Sequence, residues 1–312
     1  MNIKPYPGYE HHTHQILGFP DGTSTSMAEL QASIRGYTLA PGTTMEDREI
    51  PGPEDGQQLK IRVITPAGLP EKAPIIFDIH GGGWVSGDMD IDNYRNIYLA
   101  EHTPAIVVAV EYRLASPELG HPAQLMDCLC AFQWVHDHAA ELGGDPDRLG
   151  VHGTSAGGNL AAGMALYIRD HGGPDIALTV LNCPALTLER TDSKLQLGGL
   201  GAEGAAYRES AEIIYTMAYR GSTPPYYAMP AYAPSLAGLG PVSVVVGEYD
   251  PLRDEDVEFA KRLFRDGVPC ELLVAPRVSH GYCTVDQPLT RWTHNGICAS
   301  FRREFGMDIV DF

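Results

Sequence analysis

Leu149-Gly150-Val151-His152-Gly153-Thr154-Ser155-Ala156-Gly157-Gly158-Asn159-Leu160-Ala161 joins two kinds of local structure through one turn. Arg148 to His152 predicts a short strand. Ser155 to Arg169 predicts a helix dense in small residues, hence a tightly packed one. Between them Gly153-Thr154-Ser155-Ala156-Gly157 fits the pattern G-x-S-x-G, which is weak alone because glycine and serine are common. The setting makes it specific. A serine held in a sharp strand-to-helix turn is a nucleophile elbow, and that strained turn needs residues without bulk two before and two after the serine. Gly153 and Gly157 meet the need; a glycine-rich turn with a bystander serine is the competing reading.

The surroundings repeat the strand–helix rhythm. Leu59 to Ile64 alternates like a half-exposed strand, while Pro74 to Ile79 and Ala105 to Val110 are apolar runs that suit buried strands. Ile176 to Leu181, Val242 to Val246 and Cys270 to Val274 predict further strands. Helices are expected from Pro122 to Leu142, Asp254 to Arg265 and Pro288 to Phe305. Strands alternating with helices imply a largely parallel, doubly wound α/β sheet. Residues 1 to about 55 lack strong periodicity, apart from a short helix expected at Met27 to Gly36. Residues 186 to about 234 break the rhythm with a glycine run, a helix-like stretch from Glu203 to Arg220 and Pro224-Pro225-Tyr226-Tyr227. An insertion of that length is usually functional, and it reads as a cap over one end of the sheet.

Three further loops follow predicted strands. His80-Gly81-Gly82-Gly83-Trp84 lets the backbone approach a substrate, so the N–H groups of Gly82, Gly83 and Ala156 are expected to face a developing oxyanion. A phosphate-binding loop is the alternative, but the G-K-[ST] ending is missing. Gly247 to Asp254 carries several carboxylates past a strand end; Asp250 is the expected acid, Glu248 the second choice, and Asp254 suits a helix start. Val278-Ser279-His280-Gly281-Tyr282 puts His280 on the last loop. The chain order Ser155, Asp250, His280 is that of the α/β-hydrolase arrangement.

Composition removes other classes. The 312 residues carry 22 Lys and Arg against 40 Asp and Glu, a net charge of −18, without a basic stripe for nucleic acid or an anionic membrane surface. The longest apolar stretch, Leu160 to Ile168, is far short of a membrane span, and the N-terminus shows no secretory h-region. Cys128, Cys130, Cys183, Cys270, Cys283 and Cys298 show no metal-type spacing and predict reduced thiols in a cytoplasmic protein. His11, His12 and His14 could chelate a stray ion, but no metal site or cofactor is expected.

Taken together the motifs resemble the hormone-sensitive-lipase-like family of α/β-hydrolase esterases. The matching residues are His80-Gly81-Gly82-Gly83-Trp84, Glu111-Tyr112-Arg113-Leu114, Gly153 to Ala161, Asp250-Pro251-Leu252-Arg253-Asp254-Glu255 and His280-Gly281, over about residues 59 to 305. The resemblance implies an eight-stranded, mostly parallel sheet flanked by helices, with a helical cap. Residues 1–55 then form an N-terminal cap segment, and 56–312 a catalytic domain with its cap insertion at about 186–234. It implies catalysis by Ser155, Asp250 and His280, a small-molecule ester of short to medium acyl chain, and a homodimer joined through an edge strand. Trp84, Tyr207 and Tyr215 are candidate substrate contacts. Tyr219, Tyr226 and Tyr227 could also wall the pocket, against the plainer reading that cap tyrosines pack on the core. Two departures stand out: Thr154 replaces the commoner Asp of the elbow, and Ser116 is inserted into the D-Y-R-L-A-P-E run. Amide, lactone or carbamate hydrolysis, or a non-catalytic binding protein, are the other readings.

Overall fold

A computed structural model describes residues 4–9, 38–197, 225–284 and 286–309. Its centre is an eight-stranded sheet in the order β1-β2-β4-β3-β5-β6-β7-β8. The strands are β1 (Thr44–Pro51), β2 (Gln58–Thr65), β3 (Ala73–Ile79), β4 (Ile106–Glu111), β5 (Gly144–Thr154), β6 (Leu178–Asn182), β7 (Val242–Gly247) and β8 (Cys270–Ala275). β2 runs antiparallel to β1 and β4, and all pairs from β4 to β8 are parallel.

Side-chain alternation along the strands divides the interior into two layers. Ile75, Phe77 and Ile79 join a core with Leu125, Phe132 and Val135 of α2 (Ala123–Asp137), Leu160 and Met164 of α3 (Ala156–His171), and Phe259 and Leu263 of α6 (Arg253–Arg265). Ile76, Val107, Val180 and Val245 point the other way, onto Ile97 and Leu99 of α1 (Asn93–His102) and Ile297 and Phe301 of α7 (Pro288–Glu304). A sheet covered on both faces accounts for the nearly unbroken apolar runs in its parallel strands.

Three elements differ from the sequence reading. Thr44–Pro51 is the outermost strand β1, lying inside the stretch 1–55 read as a cap segment without periodicity. Only Ile50 is buried in it, so an edge strand exposed over most of its length carries no alternating signal. Helix α1 carries no legible apolar periodicity, because the residues it buries include Arg95 and Asn96. Helix α2 ends at Asp137, and the chain turns before β5 where the sequence suggested helix to Leu142. Of the insertion at about 186–234, the described parts include α4 (Asp192–Leu197) and α5 (Pro225–Ala228). Tyr207, Tyr215, Tyr219, the tail histidines and the helices expected at 27–36 and 203–220 lie outside the described residues.

Candidate active site

Parallel strands end at one edge of the sheet, and the loops there carry the candidate residues. Register sets the common edge: Ile79 pairs with Gly153, and Thr154 with Asn182. Ser155 leaves β5 at φ 56°, ψ −114°, a left-handed conformation unusual for a residue with a side chain. Backbone crowds around it. A Cβ at Gly157 would lie 2.0 Å from the Ile79 carbonyl oxygen, and one at Gly153 2.2 Å from that of Gly157. The turn is pinned by Ser155 N–H donating to Asn182 O at 2.8 Å and by Asn159 Nδ2 donating to Ala185 O and Ala228 O at 2.8 and 2.7 Å.

His280 Nε2 lies 3.0 Å from Ser155 Oγ. Its Nδ1 lies 2.9 and 3.1 Å from the two oxygens of Asp250, which is fully buried and also accepts Leu252 N–H at 2.8 Å. Glu248 instead accepts the Arg277 N–H at 2.8 Å, so its carboxylate braces the loop leading to His280. Asp254 accepts the Ser193 N–H at 2.7 Å near the start of α6. Burial alone would lower the pKa of His280; the carboxylate of Asp250 and the neighbouring Cys183 outweigh it and hold the imidazole well above its ordinary 6.5.

The glycine loop follows β3. Gly82 sits at φ 120°, where a Cβ would meet the Ser86 carbonyl oxygen at 1.9 Å, so only glycine fits. The N–H groups of Gly82, Gly83 and Ala156 donate to no backbone or side-chain acceptor among the described residues. That of Ala156 opens helix α3, where the first-turn N–H groups lack intrahelical acceptors. Tyr112 supports the loop from behind: its ring stacks on His80 with centroids 4.3 Å apart, and its hydroxyl donates to His80 O at 3.1 Å. Trp84 is buried in the main core cluster, and its carbonyl accepts Ala115 N–H at 2.7 Å. Tyr226 and Tyr227 donate to Asp170 at 3.0 and 2.9 Å, beside the end of α3 remote from Ser155, in keeping with packing.

A buried polar network behind the elbow was not legible in the sequence. Arg95 donates to Asp78 at 2.8 Å, to Asp92 at 2.9 Å and to the Thr154 hydroxyl at 2.6 Å. Asp78 also accepts from Asn96 at 2.8 Å and pairs with His152 Nδ1 at 2.9 Å. Thr154 is thus the point at which this network holds the residue before Ser155. The Arg113 of the Glu111-Tyr112-Arg113-Leu114 run likewise grips buried Asp127, donating through Nε at 2.9 Å and Nη2 at 2.8 Å. Cys183 carries no sequence signal beyond being one of six sparse cysteines, yet its thiol lies beside Asp250 and His280.

The fold and the elbow define an α/β-hydrolase with a hydrogen-bonded Ser–His–Asp set at the strand ends. Residues 76–284 match the family described as alpha/beta hydrolase fold, and the chain belongs to it, with motifs of the hormone-sensitive-lipase-like esterase branch. The chain is 35% identical over 272 residues to the carboxylesterase NlhH of Mycobacterium tuberculosis, covering 84% of this chain and 82% of that protein. It is 31% identical over 241 residues to an ethyl acetate hydrolase of Pseudomonas putida, covering 73% and 72%. Among solved structures, a bacterial heroin esterase superimposes with a TM-score of 0.79 at 33% identity, covering 89% of each chain.

Proposed function

We propose that this chain is a serine carboxylic ester hydrolase working through Ser155, His280 and Asp250 and an acyl-enzyme. The observation that carries the reading is the position of His280, with Nε2 at 3.0 Å from Ser155 Oγ while Nδ1 faces the Asp250 carboxylate. With the ring proton on Nδ1 donated to Asp250, Nε2 presents a lone pair to the serine hydroxyl. Attack on the ester carbonyl transfers the Oγ proton to Nε2, and buried Asp250 stabilises the imidazolium that forms. The N–H groups of Gly82, Gly83 and Ala156 receive the oxyanion of the tetrahedral intermediate, each such donor contributing roughly 2.7–4 kcal/mol in comparable sites. His280 then protonates the leaving alcohol, and water activated by the same nitrogen releases the acid. No step requires a cofactor.

Short to medium acyl chains are the proposed substrates, supported by the family resemblance and by similarity to a relative named for ethyl acetate. The same reading carries a cytoplasmic homodimer joined through an edge strand; a single sedimenting monomer would overturn the dimer. The deciding assay is hydrolysis of p-nitrophenyl esters from acetate to laurate by wild type and Ser155→Ala. The expected result is a short-chain optimum and a loss of at least about 10³-fold in kcat for the variant. An unchanged rate in Ser155→Ala removes the serine mechanism, and an optimum at laurate removes the short-chain reading. A wild type inert on all these esters but active on amides, lactones or carbamates would move the same triad to those substrates.

A further inference from the structure

The mechanism leaves one nucleophilic side chain at the site unused. Cys183 follows β6 directly, is 2% exposed, and has φ 42°, again unusual for a residue with a side chain. Its N–H donates to Val245 O at 2.6 Å, which ties this strained residue to the neighbouring strand. One donor atom each from Cys183, Asp250 and His280 lies within 4.8 Å of the other two. A second observation concerns Asp256 on α6. It is fully buried, and neither carboxylate oxygen has a hydrogen-bond partner among the described residues. It lies within electrostatic reach of Asp250, Cys183 and His280. A largely buried cluster at the proposed triad thus brings together a thiol, an imidazole nitrogen, one engaged carboxylate and one carboxyl without a partner among the described residues.

We propose that Cys183, Asp250 and His280 form a site for a thiophilic divalent cation of the zinc or cadmium class, and that its occupancy shuts off hydrolysis. Sulfur, imidazole nitrogen and carboxylate oxygen are the donor types such ions take in tetrahedral sites. His280 Nδ1 and the Asp250 oxygens, 2.9–3.1 Å apart, already have nearly the spacing of two ligands on one ion. The sulfur needs to close in by on the order of 1 Å. A water or Asp256 completes the set.

The inhibitory half rests on the reading of His280 as base. Coordination at Nδ1 uses the lone pair of that nitrogen, so the ring proton moves from Nδ1 to Nε2. The thiol proton leaves to solvent, giving one proton released per ion bound with water as the fourth ligand, and an Asp256 carboxyl that joins the set gives up its own proton as well. Nε2 then presents an N–H to Ser155 instead of a lone pair and cannot take the serine proton. Asp250, shared with the cation, no longer orients the ring.

The test is a titration of Cd²⁺ into the reduced full-length protein. His11, His12 and His14 are replaced by alanine, to remove chelation by the tail. The ultraviolet thiolate-to-cadmium charge-transfer band and p-nitrophenyl acetate hydrolysis are read on the same samples. Cys183→Ser and Cys183→Ala are compared, each normalised to its own metal-free rate. The expected result is a band that saturates at one ion per chain while the rate falls in step. Chelator should restore the rate, and both effects should weaken at least about tenfold in the two variants. A band and an inhibition equally strong in Cys183→Ser and Cys183→Ala overturn the site, as does a wild type with no band. A Cys183-dependent band with hydrolysis untouched keeps the cation site and overturns His280 as the base.

Discussion

Ser155 and His280 show what a single residue contributes here. The backbone of Ser155 is held in a conformation it would not choose, and glycines at 153 and 157 keep the crowded turn passable. In the proposed mechanism His280 carries the acid–base work, and its raised pKa sets the working pH. The imidazolium is inactive as a base, so kcat/KM is expected to rise with pH through an inflection above 6.5. A pH–rate profile that is flat from acid to neutral pH, or that turns below 6.5, would count against His280. The same shift works in the opposite sense on folding. With its pKa higher in the folded than in the unfolded chain, the His280–Asp250 pair adds stability that is fully present below pH 6.5 and lost as pH climbs through the folded value.

At the scale of elements, helix α1 is joined to the elbow by charge as well as by apolar packing. Arg95 is buried with Asp78 and Asp92 and reaches across to Thr154, so α1, β3 and β5 meet in one polar knot. Burial would raise the pKa of Asp78; Arg95 and His152 reverse this and lower it. Arg95→Met leaves two buried carboxylates without their cation. It should therefore lower unfolding free energy by about 3–5 kcal/mol in urea denaturation. A loss below about 1 kcal/mol, the range of surface ion pairs, would mean that the knot contributes little. The resemblance to family motifs gains a physical reading at this scale too. In the Glu111-Tyr112-Arg113-Leu114 run, Tyr112 buttresses the glycine loop and Arg113 fastens the following segment to α2 through Asp127. The inserted Ser116 closes a small turn, its carbonyl accepting Leu119 N–H at 3.2 Å and its N–H donating to Leu119 O at 2.7 Å.

For the molecule as a whole, the described N-terminal residues close against the loops that carry Asp250 and His280. Tyr9 is fully buried; its hydroxyl pairs with that of Thr290 at 2.7 Å and accepts the Thr290 N–H at 2.8 Å. Tyr6 N–H donates to Arg277 O at 2.8 Å, and Lys4 N–H to the Tyr249 hydroxyl at 3.3 Å. The start of the chain thereby links the acid loop, the base loop and helix α7. Tyr9→Ala is expected to cost about 3–5 kcal/mol, as for other buried aromatic truncations. Tyr9→Phe, which keeps the ring and loses the hydroxyl, should cost about 1 kcal/mol. Chemical denaturation of both variants checks this, and a Tyr9→Ala protein as stable as wild type would mean that the segment is not docked.

Local patterns were enough for the sheet's buried strands, the elbow and the loops after β3, β7 and β8, because apolar runs and glycine-bounded turns are properties of a few adjacent residues. Asp250, preferred to Glu248 on the same loop pattern, lies with its carboxylate against His280 Nδ1, while Glu248 accepts the Arg277 N–H. Local patterns did not show β1, whose side chains mostly face water, or α1, whose buried Arg95 and Asn96 hide its periodicity. Nor did they show the Arg95 network or the place of Cys183. These depend on distances between residues such as Arg95 and Thr154, or Cys183 and His280, that are far apart along the chain. Strand order and register bring such residues within hydrogen-bonding or ligating reach, and neither is written into any short stretch of sequence.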